Sequence, residues 1–329
     1  MKIFNLLNKI SSTLAERKHE KRILCQTKFL TFVELLLVLA IIGIITGLIL
    51  PPILRSRNSA KFTSWLNYNN QLNQKPDTVI NFNFQESGYK LNIDGIMTPC
   101  IENSANACSF KGFDIKEYAG IMVNNPEWLP HGGRCYEKGA MQFNGSDQCL
   151  YIPGIDALDF LQNKDDFTIY LWIYYYSTPR GTVFTKGEEG GRQQYKMSMY
   201  NSRPQVIVGQ KELRCEKKIY EKKWYHIAVV NKADSGFKIF VNGEVQKTKN
   251  IKSKLEADFQ NAKSLTIGAS PKSRTRNIFN SRTGKTEKEN YYSLTACFRG
   301  KIDEIVILRR AMPAKEINNV YKIGKVAQH

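Results

Sequence analysis

The sequence predicts a mainly β protein: an antiparallel β-sandwich of the jelly-roll kind preceded by a single N-terminal transmembrane α-helix. Three observations predict it. Residues 35–50, LLLVLAIIGIITGLIL, run sixteen positions without a charge. From Val79 onwards apolar and polar residues alternate with period two, and short strand signals recur between Gly, Asn, Asp and Pro. Six of the seven cysteines, Cys100, Cys108, Cys135, Cys149, Cys215 and Cys297, follow the apolar run, an even number suited to an exported, disulfide-bonded body.

The chain opens with a basic leader, residues 1–29, carrying seven Lys/Arg against two Glu. The apolar run, extended back to Phe29, spans 22 residues. At helical rise that is roughly 33 Å, enough to cross a bilayer. The run is longer than the apolar region of a secretory signal and ends at Pro51-Pro52, with no small-residue cleavage site nearby. Arg17, Lys18, Lys21, Arg22 and Lys28 precede it, and Arg55, Arg57 and Lys61 follow it. The balance favours a cytoplasmic N-terminus with the body outside. Residues 30–52 are therefore read as the membrane helix. Residues 53–75, with Phe62, Trp65, Leu66 and Leu72 at helical spacing, are read as a helical stalk ended by Pro76.

Residues 76–329 are read as the β body. Ile80, Phe82 and Phe84 alternate with Asn81, Asn83 and Gln85 as a half-buried strand. Gly139–Phe143 and Gln148–Ile152 flank Asn144-Gly145-Ser146-Asp147, whose turn chemistry suggests a hairpin. Phe167–Tyr176, Thr182–Thr185, Tyr195–Tyr200, Gln205–Val208, Trp224–Asn231, Phe237–Val241, Leu265–Ile267 and Lys301–Leu308 are further strands, and Asn242-Gly243 makes a tight turn. So many short strands without intervening amphipathic helices argue for a sandwich.

The formal net charge is +18, of which the leader supplies +5. Such a field suits solubility and acidic partners alike. Its densest stretch is PKSRTRNIFNSRTGKTEKEN, residues 271–290, with Lys272, Arg274, Arg276, Arg282, Lys285 and Lys288 against Glu287 and Glu289. This stretch reads either as a solvated loop or as a contact surface for an acidic glycan. Nucleic acid is not the expected partner, because base stacking calls for interleaved aromatics and only Phe279, Tyr291 and Tyr292 are near. Enzyme signatures are missing: no GxSxG elbow, HExxH helix or phosphate-binding loop occurs. Asp303 and Glu304 adjoin on a strand, so alternation predicts opposite faces and no shared carboxylate pair. His226 reads as a structural histidine in a strand. Among the cysteines, Cys100–Cys108 and Cys135–Cys149 would close the shortest loops, leaving Cys215 and Cys297, but fifteen pairings remain open.

Two resemblances join this reading. Lys28-Phe29-Leu30-Thr31-Phe32-Val33-Glu34-Leu35-Leu36-Leu37-Val38 resembles the type IV prepilin cleavage and methylation segment. That resemblance implies a cut by a prepilin peptidase between Phe29 and Leu30 and pilin-like assembly helped by Glu34. It departs from the family pattern at Phe29, where glycine is usual. The second resemblance is to laminin-G-like, concanavalin-like domains. It runs in order through Gly139–Asp147, Phe167–Ile173, Lys186-Gly187, Trp224–Val229, Lys238–Glu244, Leu265–Gly268, Phe298–Ile305 and Ala311–Ile317. It implies binding of a carbohydrate or surface partner, a terminal helix from Ala311 onward, and calcium on a sandwich rim with Asp147 and Asp303 as ligands. The function expected is thus recognition or adhesion by a membrane-anchored, non-enzymatic domain. A minor pilin or secretion pseudopilin, and an exported glycan-cleaving enzyme, are the alternatives.

Overall fold

The computed structural model describes residues 31–85, 89–91, 97–99, 109–110, 120–135, 137–152, 156–160, 164–176, 179–188, 193–251, 264–280 and 285–325. The chain divides into two units, Met1–Arg57 and Asn58–His329. In the first, the described residues belong almost wholly to the start of the helix Phe32–Asn73, and every side chain described from Phe32 to Ile53 is exposed. Among the described helices it is the one long and apolar enough to cross a membrane. The helix opens on a capping box. Thr31 N–H donates to Glu34 Oε2 at 2.8 Å, and Glu34 N–H donates back to Thr31 Oγ1 at 3.3 Å.

The second unit begins inside the stretch read as a stalk, and it buries Trp65, Asn69 and Leu72 of the helix. Two large antiparallel sheets make its body. The first runs, neighbour to neighbour, through Glu244–Val245, Gly236–Val241, Trp224–Lys232, Phe167–Tyr175, Arg299–Leu308, Ala140–Asn144 and Glu127–Leu129. Thr78–Phe82 adds to Arg299–Leu308. The second runs through Thr248–Ile251, Lys211–Cys215, Arg203–Val208, Gln193–Tyr200, Arg180–Gly187, Leu265–Ile267, Cys149–Ile152, Gly120–Val123, Ser109–Phe110, Tyr89–Leu91 and Met97–Pro99.

Strand Phe167–Tyr175 shows why the sandwich forms. Ile169, Leu171, Ile173 and Tyr175 point into the core between the sheets, against Val183, Met197, Val206 and Ile267. Tyr170 and Trp172 point the other way and are also buried. That outer face is covered by Leu72 of the N-terminal helix and by Ile317 and Val320 of the terminal helix Ala314–Gly324. A strand buried on both faces reads as a near-continuous apolar run, which FTIYLWIYY is.

Two turns test the sequence reading. Asn242-Gly243, both at positive φ (52° and 82°), closes the expected hairpin between Gly236–Val241 and Glu244–Val245. The 144–147 turn does not close a hairpin: Ala140–Asn144 belongs to the first sheet and Cys149–Ile152 to the second. It is a corner that crosses the sandwich. Asn144 Oδ1 accepts the Ser146 N–H at 2.8 Å, a local bond that serves a corner as well as a hairpin. The basic stretch also takes a form that alternation did not suggest. Ser270–Asn280 and Lys285–Thr295 pair as a separate hairpin of eleven matched positions.

Candidate functional site

Two places concentrate chemistry. The first is interior. Arg299–Leu308 carries a β-bulge between Asp303 and Ile305, with Glu304 at φ +67°. The extra residue breaks the period-two alternation. Asp303 and Glu304, expected on opposite faces, therefore both join one cluster on the outer side of the first sheet. Arg134 Nε lies 3.0 Å from Asp303 Oδ2, and Arg134 Nη2 lies 2.8 Å from Glu304 Oε2. Lys138 Nζ is 2.9 Å from Asp303 Oδ1 and 3.8 Å from Glu304 Oε2. Trp65 Nε1–H donates to Glu304 Oε2 at 2.8 Å. Lys138 Nζ stands 3.1 Å from the centroid of the Trp65 ring, and the Arg134 guanidinium 4.3 Å from that of Trp172. All four charged side chains are at most 2 % exposed.

Two cations against two carboxylates make the cluster neutral overall, as burial of charge requires. Burial lowers the Lys138 ammonium to about 8, against the pull of Asp303. Burial alone would raise the Glu304 carboxyl. Arg134 and Lys138, with hydrogen bonds from Arg134 and Trp65, outweigh it and hold the group below the usual carboxylate range. The loop that carries the cations is tight: Gly133 N–H donates to Lys138 O at 2.8 Å, and Lys138 N–H to Cys135 O at 3.1 Å. At Gly139 a Cβ would fall 1.9 Å from Phe84 O, so only glycine fits there. Sequence reasoning passed over Arg134 and Lys138, and read Trp65 only as an apolar position of the helical stalk. The glycines bracketing HGGRCYEKG were the available signal of close packing.

His226 lies nearby, fully buried, with ring centroids of Trp172 at 5.2 Å, Tyr170 at 5.6 Å and Tyr321 at 6.3 Å. Neither ring nitrogen has a hydrogen-bond partner among the described residues. Burial lowers it to about 3, so it is a neutral core ring at ordinary pH.

The second place is open. A half-open groove of roughly 670 Å³ crosses the strands Gly120–Val123, Cys149–Ile152 and Leu265–Ile267 of the second sheet. Asn124, Asp147, Tyr151, Glu188, Ser264 and Thr266 give it a polar and aromatic lining. Pro271 and Leu294, at the root of the basic hairpin, close one side. Along that hairpin Lys272, Arg274 and Arg276 are exposed and take alternate positions, hence one face, about 7 Å apart at strand rise. Lys288, opposite Asn277 and also exposed, is on the other face. Lys285 pairs with Asn280 in the ladder, and Arg282 lies outside the described residues.

The other expected positions are distributed as follows. Phe29, Leu30, Cys100 and Cys108 lie outside the described residues. Glu34 is in the capping box. Asp147 accepts from Asn144 Nδ2 at 2.9 Å and lines the groove. Asp303 is enclosed by Arg134 and Lys138, and offers no open oxygen to a cation. On the shared ladder it sits about four positions, or roughly 13 Å, from Asn144 at the start of the Asp147 turn. The two do not fit a common calcium site, and among the described residues no three His, Cys, Asp or Glu gather as metal ligands. Cys135, Cys149, Cys215 and Cys297 are buried free thiols.

Comparison with known proteins bears on the fold. No curated protein matches the chain. Several solved structures resemble it at low identity. The botulinum neurotoxin serotype G binding domain is 12% identical, with a TM-score of 0.46, covering 75% of this chain and 51% of that one. The binding domain of Paraclostridial Mosquitocidal Protein 1 is 13% identical, with a TM-score of 0.44, covering 76% and 52%. The chain thus spans about half the length of these structures. The family model for the concanavalin A-like lectin/glucanases superfamily matches residues 144–318, just over half of the chain, from the corner turn into the first turns of the terminal helix. On that match the chain belongs to the concanavalin A-like lectin/glucanase superfamily.

Proposed function

We propose that the protein is a membrane-anchored recognition domain that binds an acidic carbohydrate or a similarly charged surface partner outside the membrane, without catalysing a reaction. The observation that carries this reading is the groove and the basic hairpin side by side. Asn124, Tyr151, Ser264 and Thr266 supply the mixed polar and aromatic lining suited to sugar hydroxyls and rings. At the groove's edge rises a row of three exposed cations on one strand face. Membership of a lectin/glucanase superfamily supports the substrate class. The apolar helix supplies the anchor, and the leader's charge supports a cytoplasmic N-terminus.

The test is binding of the full-length protein, in mild detergent, to an array of neutral, uronate-bearing and sulfated glycans. The reading expects retention on the acidic glycans that falls as salt rises, since exposed charges are screened over about 8 Å at physiological ionic strength. Changing Lys272, Arg274 and Arg276 to serine should reduce that retention at least tenfold. Equal retention of wild type and variant, or none on any glycan, sinks it. Turnover of a polysaccharide that disappears in Asp147→Asn or Glu188→Gln would make the glycan-cleaving reading the correct one.

The prepilin reading of the N-terminus stays within this proposal. Glu34 supports it by position in the sequence. The capping box gives the same carboxylate a local role, and that role survives a cut before Leu30. The mass and N-terminal sequence of the protein from its own membrane decide between the two. A start at Leu30 favours peptidase processing and filament or pseudopilus assembly, whereas a start at Met1 leaves a signal anchor.

A further inference from the structure

Cys149 and Cys297 are far apart in sequence but share one small apolar cluster with Ala269, flanked by Val123 and Leu294. The backbone explains the meeting. Leu150 pairs with Ile267, which carries Gly268 alongside Cys149. Gly268 O accepts the Phe298 N–H at 2.7 Å, and Cys297 itself bridges to Thr182. Gly268 thus lies beside Cys149 and is hydrogen-bonded to the residue that follows Cys297. Burial pushes the Cys149 thiol up to about 12, and Cys297 adds to the shift. Neither remaining described cysteine shares this cluster. Cys135 sits with Glu137, and Cys215 lies in the core between the sheets. The short-loop partner expected for Cys149, namely Cys135, is not the one the fold brings to it.

We propose that Cys149 and Cys297 join as a disulfide in the exported protein, tying the root of the basic hairpin to the wall of the groove. The pairing rests on the reading of this domain as exported. Cys149 lines the groove, and Cys297 lies two residues beyond the hairpin's last strand position, Thr295. The bond therefore fixes the hairpin to the surface it would serve. The chemistry is thiol–disulfide exchange with an oxidised dithiol carrier. One thiolate attacks a carrier sulfur and forms a mixed disulfide. The second thiolate then displaces the carrier. Two electrons and two protons leave with the carrier as its reduced dithiol. Buried thiols with raised pKa react poorly, so the exchange belongs to folding, before the segment around Cys297 closes. Oxidation gives up the bond that Cys297 Sγ donates to Ser146 O at 2.9 Å.

The test uses the full-length chain in two preparations. One is taken from the membrane fraction of an export-competent host, with thiols blocked by N-ethylmaleimide before lysis. The other is reduced, unfolded and refolded in a glutathione redox buffer. Both are digested without reductant and mapped by mass spectrometry. The expected result is a peptide pair joined through Cys149 and Cys297, two hydrogens lighter than the separate peptides and lost on reduction. Cys135→Ser and Cys215→Ser should retain it, and Cys149→Ser should leave Cys297 open to alkylation after unfolding. A link in either preparation supports the pairing. A link only after refolding keeps the pairing and removes the export reading. Both cysteines alkylated in both preparations, or either one joined to a different cysteine, overturns the proposal.

Discussion

On the outer side of the first sheet Arg134, Lys138, Asp303 and Glu304 meet in a dry interior, whereas at the second sheet Lys272, Arg274 and Arg276 stand in solvent on a two-stranded hairpin. The difference is one of bookkeeping in charge. The interior set balances two cations with two carboxylates and adds a Trp65 hydrogen bond, because an unpaired charge there would cost several kcal/mol. The hairpin row is exposed to water, which screens neighbouring like charges. Basic residues in one chain thus stand in two environments, and the neighbouring groups decide whether each charge is paired in the interior or screened by water.

The largest effect should come from breaking the interior set. Arg134→Met leaves two carboxylates facing Lys138 alone. Urea unfolding of the full-length protein in detergent should show a loss of about 3–5 kcal/mol. Trp65→Ala removes both a packed ring and the hydrogen bond to Glu304, and should cost a similar amount, about 3–5 kcal/mol. A loss below about 1 kcal/mol in either would mean that the cluster does not hold the helix segment to the sheet.

Next in size is pH dependence. His226 titrates at about 3 in the fold against about 6.5 in an unfolded chain. Between those values the unfolded chain holds a proton that the native ring refuses. Its contribution is therefore fully present above about pH 6.5 and is lost as pH falls towards 3, by about 1.4 kcal/mol per pH unit. The lowered Glu304 carboxyl acts in the same direction, since its contribution also fades on acidification. His226→Phe should remove one proton's worth of slope from stability measured between pH 6 and 4 and leave the Glu304 part. An unchanged slope would show that the ring is not buried neutral.

The smallest effect on stability, and the sharpest on binding, is expected at the hairpin. Lys272→Ser, Arg274→Ser and Arg276→Ser together should shift the unfolding free energy by no more than about 0.5 kcal/mol per site. Their effect should appear instead in retention on acidic glycans. Lys288→Ser, on the opposite face, should change retention less than any of the three. Equal effects from both faces would point to general charge rather than to one binding face.

Much of the fold was legible in residues that carry their own local instructions. The charge-free run predicts its helix because no charged residue and no proline interrupts it, and Asn242-Gly243 predicts its turn because both residues tolerate positive φ. The strands Phe167–Tyr175 and Trp224–Lys232 follow from β-branched and aromatic runs. The site was less legible. Asn144-Gly145-Ser146-Asp147 has hairpin chemistry but forms a corner, because turn residues specify a reversal and not the sheet that the next strand joins. Asp303 and Glu304 follow alternation until a bulge adds one residue, and that bulge is held by Arg134, Lys138 and Trp65 from remote segments.

The sequence by itself determined an apolar helix, a β body and a strong positive charge, since these rest on composition and on periods read over a few residues. Only the tertiary structure decided which charges are buried and which are exposed, that Glu304 turns towards Asp303, that Cys149 meets Cys297 and not Cys135, and that the hairpin rises beside a groove. Each of these depends on contacts between residues tens to hundreds of positions apart, and no local period or propensity encodes such a meeting.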